Sequence, residues 1–311
     1  MFFEENRKQD ISLSEVLDSL YVFFHDIEKE EVKFLYHGTY NVFEVKSRFI
    51  FRFPDIHFRN INGIQLIERE ILMLNIIKGY VPFSIPNPIY ISTEPDNPFV
   101  GYEKIQGTRL SQCFEKTSKN QKKKIAKQIG FFLSQLHSDK LHDIVLNEAK
   151  QSYSSKQYKK EWSNYYQEIQ TTIFPIMNSA QKEWLNKLFT KFFEREENFK
   201  FKPTLIHGDF DTSNILVDPK TFEITGIIDF EDSRIYDPAA DFLFYEEGNF
   251  FLENVLSSYQ RKIDFSFKER MKFLYGRNSL PYITFGIDHN VPDMIKAGFE
   301  LLNYKIKTVE L

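Results

Sequence analysis

Two short polar segments, each at the end of an apolar run, constrain the fold of this chain more than any other feature. Residues 203–206 (PTLI) lead into residues 207–214 (HGDFDTSN), and Asp229 follows Asn214 by fifteen positions at the end of a second apolar run. Apolar runs of this length, bounded by turn residues, predict buried strands. We therefore expect Asp209 to lie at the lip of a cleft, where a buried strand gives way to a loop.

The residues after the first polar segment predict a β-hairpin. Residues 215–217 (ILV) and 224–228 (ITGII) are apolar and rich in β-branched side chains, and the turn-forming residues 218–220 (DPK) follow the first of them. Asn214 precedes the first strand and Asp229 follows the second. A hairpin would therefore allow these two side chains to converge.

Asp209, Asn214 and Asp229 are residue types that suit phosphoryl transfer. A carboxylate at Asp209 can accept a proton from a hydroxyl or hold that hydroxyl in line with phosphorus. One amide oxygen and one carboxylate match the few protein ligands that Mg²⁺ takes beside phosphate and water. The spacing of Asp209 and Asn214 is weak by itself, because Asp and Asn are common loop residues. The two flanking strands and the second Asp make the combined pattern much more specific than this spacing alone.

These segments resemble those of the aminoglycoside phosphotransferase family, in particular its 2″-phosphotransferase branch, whose fold is similar to that of protein kinases. The resemblance implies an α+β, bilobal protein-kinase-like fold. Residues 1–104 would form an N-terminal nucleotide-binding lobe, an antiparallel sheet with one main helix, that ends in the hinge. Residues 105–311 would form a larger, mostly helical catalytic and acceptor-binding lobe. Asp209 would be the catalytic carboxylate, with Asn214 and Asp229 holding Mg²⁺ and ATP or GTP as phosphoryl donor.

The N-terminal part fits the same resemblance. Residues 40–45 and 48–53 predict two paired strands, and residues 65–77 predict a helix. The resemblance implies that Arg52 lies against the nucleotide phosphates and that Glu70 holds it. The family usually has Lys at this position, and the planar guanidinium is not interchangeable with the compact ammonium. The alternative interpretation of Arg52 is an ordinary cation at the strand surface.

The chain departs from the protein-kinase pattern at two further places. Residues 37–41 (HGTYN) replace a glycine-rich phosphate loop, and Gly38 also fits a simple hairpin turn. Residues 229–231 (DFE) stand where a kinase has Asp-Phe-Gly. Downstream, residues 236–241 (YDPAAD) are similar to a D-P-x-x-D segment of the family, which implies that Asp241 is a buried support for the catalytic loop.

Residues 97–107 (NPFVGYEKIQG) predict a hinge strand, because they run from a proline-containing turn through an extended segment to a glycine. In folds of this kind the purine edge pairs with backbone groups of the hinge. The resemblance implies that these are the Glu103 carbonyl and the Ile105 amide, with Tyr102 near the base.

Acidic residues are the candidates for binding the acceptor. An aminoglycoside carries several ammonium groups, which need acidic partners when they lose their hydration. The suitably placed acids are Asp211, Asp232, Glu246 and Glu247. The last two occupy the place where the 2″-branch has acids that contact substrate, whereas Asp211 departs from the usual small residue. The alternative for Glu246 and Glu247 is a solvated helix end.

Composition indicates a soluble, cytoplasmic enzyme. The 311 residues, 42% of them hydrophobic, contain no apolar run of membrane-spanning length, and the first eight residues lack a signal-peptide pattern. Cys113 is the only cysteine, which excludes disulfides. The net charge of −4 disfavours a nucleic-acid partner and favours a cationic one, and the basic run 122–124 fits a solvated helix face. We expect a monomer.

Two other functions compete with an aminoglycoside kinase. One is a metabolic kinase that acts on a sugar, choline-like or amino-alcohol acceptor, because many alcohol kinases share this chemistry. The other is a nucleotide-binding pseudokinase that serves as an interaction module, which Arg52 and the poor glycine loop suggest. The favoured hypothesis is a Mg²⁺-dependent enzyme that moves the γ-phosphoryl of ATP or GTP to an aminoglycoside hydroxyl.

Overall fold

The computed structural model describes residues 8–58 and 61–311. The chain divides into two compact units: unit 1 comprises residues 1–125 and 212–233, and unit 2 comprises residues 126–211 and 234–311. The expected division after residue 104 separates nucleotide-binding from acceptor-binding roles and stays a prediction. The N-terminal residues 1–7, on which the expectation of no signal peptide depends, lie outside the described residues.

The elements are numbered along the chain over the described residues. The strands are β1 (Val32–His37), β2 (Tyr40–Val45), β3 (Phe49–Pro54), β4 (Pro88–Ser92), β5 (Phe99–Glu103), β6 (Thr108–Arg109), β7 (Thr204–Ile206), β8 (Ile215–Val217), β9 (Ile224–Ile227) and β10 (Arg234–Tyr236). The helices are α1 (Leu13–Tyr21), α2 (Ile61–Ile77), α3 (Leu110–Cys113), α4 (Lys119–Leu136), α5 (Asp139–Glu148), α6 (Ser155–Thr172), α7 (Ser179–Phe193), α8 (Asn249–Ser258), α9 (Phe267–Arg277), α10 (Leu280–Asp288) and α11 (Pro292–Thr308).

Unit 1 contains a five-stranded antiparallel sheet in the order β1-β2-β3-β5-β4. Alternate residues of its strands face opposite sides, as the pleat requires. Phe43, Phe51 and Phe99 pack in a large aromatic core to which α1 contributes Val16 and Leu20. Tyr40 and Val42, of the other parity, pack with Ile67 of α2 and other residues in a second, smaller cluster. The predicted antiparallel sheet and main helix are confirmed.

The same alternation determines where Arg52 points. In β3, Phe49, Phe51 and Phe53 belong to the aromatic core, so Arg52 faces the opposite side with the residues that pack against α2. Its side chain is only 4% exposed. The interpretation of Arg52 as a strand-surface cation is therefore wrong.

A second sheet in unit 1 carries the predicted hairpin. β8 pairs antiparallel with β9, with Ile215 opposite Ile227, and β6 adds a third strand. Gly226 lies so close to its neighbours that an added Cβ would stand 2.6 Å from Ile105 Cγ2 and 2.9 Å from the Ser84 carbonyl oxygen. Glycine is required here because the backbone of another segment occupies the side-chain space.

Unit 2 is mostly helical, as predicted, with one small sheet in which β7 pairs antiparallel with β10. Its core contains a fully buried ion pair, in which Arg270 Nε donates to Asp237 Oδ2 at 2.8 Å. The Tyr158 hydroxyl donates to the same oxygen at 2.9 Å, and Arg270 also pairs with Asp264. Each buried charge thus has several partners, which is the condition for tolerating it inside a core. Among the described residues, no helix has both the length and the apolar character needed to cross a membrane.

Candidate active site

The loop that follows β7 carries Asp209, and hydrogen bonds to Asp241 fix its backbone. The Asp241 side chain is fully buried, and its Oδ2 accepts a hydrogen bond from the His207 backbone N–H at 2.7 Å while Oδ1 accepts one from Gly208 at 3.0 Å. A carboxylate that accepts two successive backbone N–H groups fixes the direction of the chain leaving the strand. The prediction that Asp241 is a buried support for this loop is confirmed.

A histidine that the sequence analysis did not assign completes this support. His137 Nε2 lies 3.1 Å from Asp241 Oδ2, and Nδ1 lies 2.9 Å from the Tyr259 hydroxyl. His137 thus bridges the Tyr259 hydroxyl and the Asp241 carboxylate. Burial alone would raise the pKa of Asp241, but the hydrogen bond and charge of His137 and the N–H donors hold it below its usual value.

Phe210 anchors the middle of the same loop. Its ring is buried and stacks on Phe132 of α4, with centroids 5.4 Å apart and planes 19° apart. Asp209 is exposed and Asp211 is half-buried. The loop therefore offers two carboxylates from a backbone that is fixed at Asp241 and at Phe210.

In unit 1, the hairpin joins the chain segments of the two predicted metal ligands. The Ile228 backbone N–H donates to the Asn214 carbonyl oxygen at 2.9 Å, which extends the β8–β9 ladder by one bond. Asp229 follows directly, with a φ of +70°. This left-handed conformation is rare for residues other than glycine, although Asp and Asn tolerate it best. Strain of this kind is found at functional positions, where the surrounding structure maintains it.

Arg52 binds three carboxylates of unit 1. Its Nη1 donates to Glu70 of α2, and its Nη2 donates to Asp229 Oδ1 at 2.8 Å and to Glu231 Oε2 at 2.5 Å. The guanidinium also lies over the Tyr40 ring, 4.1 Å from its centroid. The planar fork permits this arrangement, because its two terminal nitrogens face different partners. The predicted contact of Arg52 with Glu70 is present.

One guanidinium facing three carboxylates leaves an excess of negative charge. Burial and the neighbouring Asp229 carboxylate raise the pKa of Glu231 well above its ordinary value, and burial also raises the pKa of Glu70. Burial disfavours the charged form of Arg52, but the carboxylates of Glu70, Asp229 and Glu231 outweigh it and raise its pKa. A further cation would relieve this excess.

The donor set fits Mg²⁺. Asp229 offers a carboxylate that is 22% exposed, and the Asn214 side chain offers an amide oxygen. Both are hard oxygen ligands of the kind that Mg²⁺ takes together with phosphate and water. Two buried atoms of the cluster, Arg52 Nε and Glu70 Oε2, have no hydrogen-bond partner within the described part of the chain. Unsatisfied buried polar atoms are uncommon in proteins and mark a place where a ligand or water belongs.

The loop between β1 and β2, which replaces a glycine-rich loop, is fixed at its base. His37 Nε2 lies 2.7 Å from Asp55 Oδ2 and 3.3 Å from Asp10 Oδ2, while Nδ1 lies 2.7 Å from the Lys8 carbonyl oxygen. Gly38 donates its backbone N–H to the Tyr40 carbonyl oxygen at 3.0 Å, as in a tight hairpin connection. The loop is thus stabilised by a buried histidine and two carboxylates.

The predicted hinge is the strand β5, which lies between β3 and β4. Tyr102 is buried, and burial raises the pKa of its hydroxyl. Glu103 is exposed at the end of the strand and accepts a hydrogen bond from Arg48 at 2.7 Å. Ile105 follows the strand and lies against Gly226. Their roles toward a purine remain predictions.

The four acids expected at the acceptor site have different surroundings. Asp232 is exposed in unit 1, and Asp211 and Glu247 are half-buried in unit 2. Glu246 precedes α8 and accepts hydrogen bonds from the Tyr275 hydroxyl at 2.5 Å, the Tyr304 hydroxyl at 2.9 Å and Lys305 Nζ at 2.9 Å. Glu246 is therefore more than a solvated helix end. Burial opposes its ionisation, but these partners lower its pKa.

Sequence reasoning did not assign Glu231, Tyr40 or His137. One signal could have identified Glu231: an acid replaces the glycine of the kinase pattern in the same chain that replaces the usual lysine by the larger Arg52. No comparable pattern marks Tyr40 or His137, since both depend on which residues the fold packs together.

Solved structures with the same fold include several antibiotic phosphotransferases. The complex of APH(2″)-IIIa with GDP and kanamycin matches with a TM-score of 0.83 and 24% sequence identity, over 94% of this chain and 98% of that one. ADP-bound APH(2″)-Ib matches with a TM-score of 0.70 and 21% identity, over 97% and 100% of the two chains. Macrolide 2′-phosphotransferase MphH from Brachybacterium faecium matches with a TM-score of 0.69 and 15% identity, over 94% and 97%. The predicted α+β protein-kinase-like fold is confirmed.

A sequence profile gives the family directly. The profile of the phosphotransferase enzyme family matches residues 31–260, about three quarters of the chain. The matched region includes the Arg52 cluster, the hinge, the Asp209 loop and the Asp241 support. The predicted resemblance is confirmed: this chain belongs to the phosphotransferase enzyme family.

Proposed function

We propose that this protein transfers the γ-phosphoryl group of ATP or GTP to a hydroxyl of an aminoglycoside. The observation that carries the proposal is the cluster in which Arg52 binds Glu70 and Asp229 in a chain of the phosphotransferase family. A fixed cation beside a carboxylate metal ligand is the equipment that phosphoryl transfer needs, because its transition state spreads negative charge over the phosphoryl oxygens.

Asp209 is proposed as the residue that handles the acceptor hydroxyl. Its carboxylate is exposed, so a substrate can reach it, and its backbone is fixed by the bonds that Asp241 accepts from His207 and Gly208. A carboxylate at ordinary pH accepts a hydrogen bond from the hydroxyl, orients it toward phosphorus and takes its proton as transfer proceeds. Positioning of this kind is a large part of catalysis when the transition state is loose.

Asn214 and Asp229 are proposed to hold Mg²⁺. When bound, the metal supplies charge neutralisation on the donor phosphates. Arg52, held by Glu70, supplies a fixed positive charge. Its guanidinium lies over Tyr40, which is the first residue of β2 and follows the β1–β2 loop. Its Nε is buried and has no acceptor among the described residues.

The base of the nucleotide is proposed to bind along β5. The Glu103 carbonyl and the Ile105 amide would pair with the purine edge, and Tyr102 would lie beside it. The named complexes support a purine nucleotide without selecting one, because APH(2″)-IIIa is seen with GDP and APH(2″)-Ib with ADP. We therefore propose ATP or GTP as donor.

An aminoglycoside is the proposed acceptor because the family resemblance places acids where its ammonium groups would bind. Asp211, Asp232, Glu246 and Glu247 are the candidate partners, and the chain as a whole has a net charge of −4. APH(2″)-IIIa is seen with kanamycin, which supports the same acceptor class. The macrolide 2′-phosphotransferase MphH has the same fold, so a macrolide is the alternative acceptor to compare with an aminoglycoside.

The test is a coupled assay of nucleoside diphosphate release with purified protein and Mg²⁺. ATP and GTP are supplied separately, and the acceptors are kanamycin, gentamicin, a macrolide and a panel of simple sugars and amino alcohols. We expect release to be stimulated by an aminoglycoside, with mass spectrometry showing one added phosphoryl group. Stimulation only by a macrolide or a simple alcohol would reassign the acceptor. Nucleotide binding with no transfer to any acceptor would favour a pseudokinase.

A further inference from the structure

The two departures of this chain from the lysine and glycine of the kinase pattern contact each other. Arg52 Nη2 donates to Glu231 Oε2 at 2.5 Å, and the two side chains are 4% and 17% exposed. At the lysine position the chain has the larger cation Arg52, and at the glycine position it has the acid Glu231. Their contact is mostly shielded from water, so removal of either partner leaves the other poorly compensated.

Glu231 shares one nitrogen of Arg52 with the candidate metal ligand. Nη1 is engaged by Glu70, whereas Nη2 donates to both Asp229 and Glu231. The backbone of Glu231 is itself held, because Arg69 Nη2 donates to its carbonyl oxygen at 3.1 Å. Glu231 is therefore placed to act on Arg52 and, through Arg52, on Asp229.

This sharing resolves a conflict between the cation and the metal. If Asp229 were the only acceptor for Nη2, binding of Mg²⁺ to its carboxylate would draw charge away from Oδ1 and weaken the bond that a buried N–H donor depends on. A buried charged donor that loses its partner carries a large free-energy penalty. That penalty would weaken metal binding. Glu231 offers Nη2 a second acceptor that stays in place when Asp229 turns to the metal.

We propose that Glu231 is a positioning residue that retains Arg52 while Asp229 binds Mg²⁺, so that Arg52 and Glu231 function as a coupled pair. The proposal rests on the proposed function in one respect, the role of Asp229 as a metal ligand. It goes further in assigning a role to a residue at the glycine position of the kinase pattern.

The coupling depends on the shape of the guanidinium. A lysine at position 52 ends in one nitrogen on a flexible stem, so it cannot direct one donor at Glu70 and a separate, fixed donor at Asp229 and Glu231. With lysine there, the conflict over Asp229 is weaker and Glu231 has less to retain. The effect of replacing Glu231 is therefore conditional on Arg52, and a double-mutant cycle measures that dependence.

The experiment compares wild type, Glu231→Gln, Arg52→Lys and the double variant. Calorimetry gives the affinity for ATP and for GTP as a function of Mg²⁺ concentration, and thermal melting is recorded for each protein. We expect Glu231→Gln to raise the half-saturating Mg²⁺ concentration about tenfold when Arg52 is present and by less than about threefold in the Arg52→Lys background, in line with the coupling expected between contacting groups. Asp26→Asn, which removes an exposed partner of Lys46 in the same unit, is the control and leaves this concentration unchanged.

Melting separates positioning from a merely structural role. Because Glu70 and Asp229 still neutralise Arg52 in Glu231→Gln, we expect its melting temperature to change by less than about 3 °C. An equal shift in Mg²⁺ dependence in both backgrounds would overturn the proposal, since Glu231 would then act on the metal independently of Arg52. Lost melting stability without a change in Mg²⁺ dependence would also overturn it. Glu231→Gly is the second variant if the glutamine protein does not fold.

Failure of the proposed function gives a different result. Wild-type protein that binds Mg²⁺ and nucleotide but transfers to no acceptor would refute phosphotransferase activity, while the cycle still measures the coupling. Wild-type protein that transfers normally but shows additive effects of the two substitutions would refute only the coupling.

Discussion

Replacing Asp241 by Asn tests the support of the catalytic loop with almost no change in side-chain volume. Asp241 Oδ2 accepts from His207 N–H at 2.7 Å and from His137 Nε2 at 3.1 Å, and Oδ1 accepts from Gly208 N–H at 3.0 Å. An asparagine has one oxygen and one NH₂ group. The best arrangement keeps the oxygen at the Oδ2 position and turns the NH₂ group toward Gly208, where two donors then face each other.

The expected change in the free energy of unfolding follows from the three hydrogen bonds that the substitution alters. The Gly208 N–H loses its acceptor, which costs about 1–3 kcal/mol when the group is buried and less where water reaches it. The two remaining bonds lose their charge assistance, at about 0.5–1 kcal/mol each. We therefore expect Asp241→Asn to destabilise unit 2 by about 2–5 kcal/mol. We expect the transfer rate to fall as well, because the backbone of Asp209 is no longer fixed.

Chemical denaturation monitored by tryptophan fluorescence measures this loss, since Trp162 and Trp184 both lie in unit 2. The matched control is Asp139→Asn, which removes a carboxylate with surface partners Lys202 and Arg261 and costs less than about 1 kcal/mol. The pKa of Asp241 is lowered in the fold, so its stabilisation is present above its unfolded pKa and is lost as pH falls through its folded pKa. The variant lacks this part of the acid destabilisation. An Asp241→Asn protein as stable as the control, with the same acid profile as wild type, would refute the reasoning.

Three further predictions concern the metal ligand, the hinge strand and the acceptor. We expect Asp229→Asn and Asp229→Ala both to abolish Mg²⁺-dependent nucleotide affinity in calorimetry. Because residue 229 has a φ of +70°, which asparagine tolerates better than alanine, the alanine protein is less stable to denaturant than the asparagine protein by about 1 kcal/mol. Equal stability of the two variants would contradict this backbone argument. Gly101→Ala lowers stability by about 1–3 kcal/mol, because its Cβ would stand 2.6 Å from Phe51 Cε1; an unchanged melting temperature would show that the core adapts. Glu246→Gln raises the KM for kanamycin with kcat little changed in steady-state assays, and an unchanged KM would assign Glu246 only to its contacts with Tyr275, Tyr304 and Lys305.

Elements with a clear periodic pattern could be predicted from the sequence. The alternation in residues 40–53 identified β2 and β3, and the β-branched runs around residues 218–220 identified the β8–β9 hairpin. The helix expected over residues 65–77 begins earlier, at Ile61. Its first turn contains Asn62 and Gly63, which have low helix propensity, so the pattern there gave no helical signal.

The Arg52 cluster could be predicted only in part. Glu70 was identified because the fold pairs a strand cation with a helix acid. The contact with Glu231 joins residues 179 positions apart and depends on strand parity, the length of the guanidinium and the turn at Asp229. The same holds for His137, whose contact with Asp241 spans 104 positions. Contacts of this kind are properties of the packed structure, and local sequence patterns do not encode them.

The central claim is that Asp209 handles the acceptor hydroxyl of a phosphoryl transfer. The most direct test measures acceptor-stimulated nucleoside diphosphate release and nucleotide affinity on the same preparations of wild type, Asp209→Asn and the control Asp143→Asn, whose side chain is 71% exposed on α5. We predict that Asp209→Asn lowers the transfer rate by about 100- to 10,000-fold while nucleotide affinity changes by less than about threefold, and that the control matches wild type. Transfer by Asp209→Asn at the wild-type rate would contradict the claim.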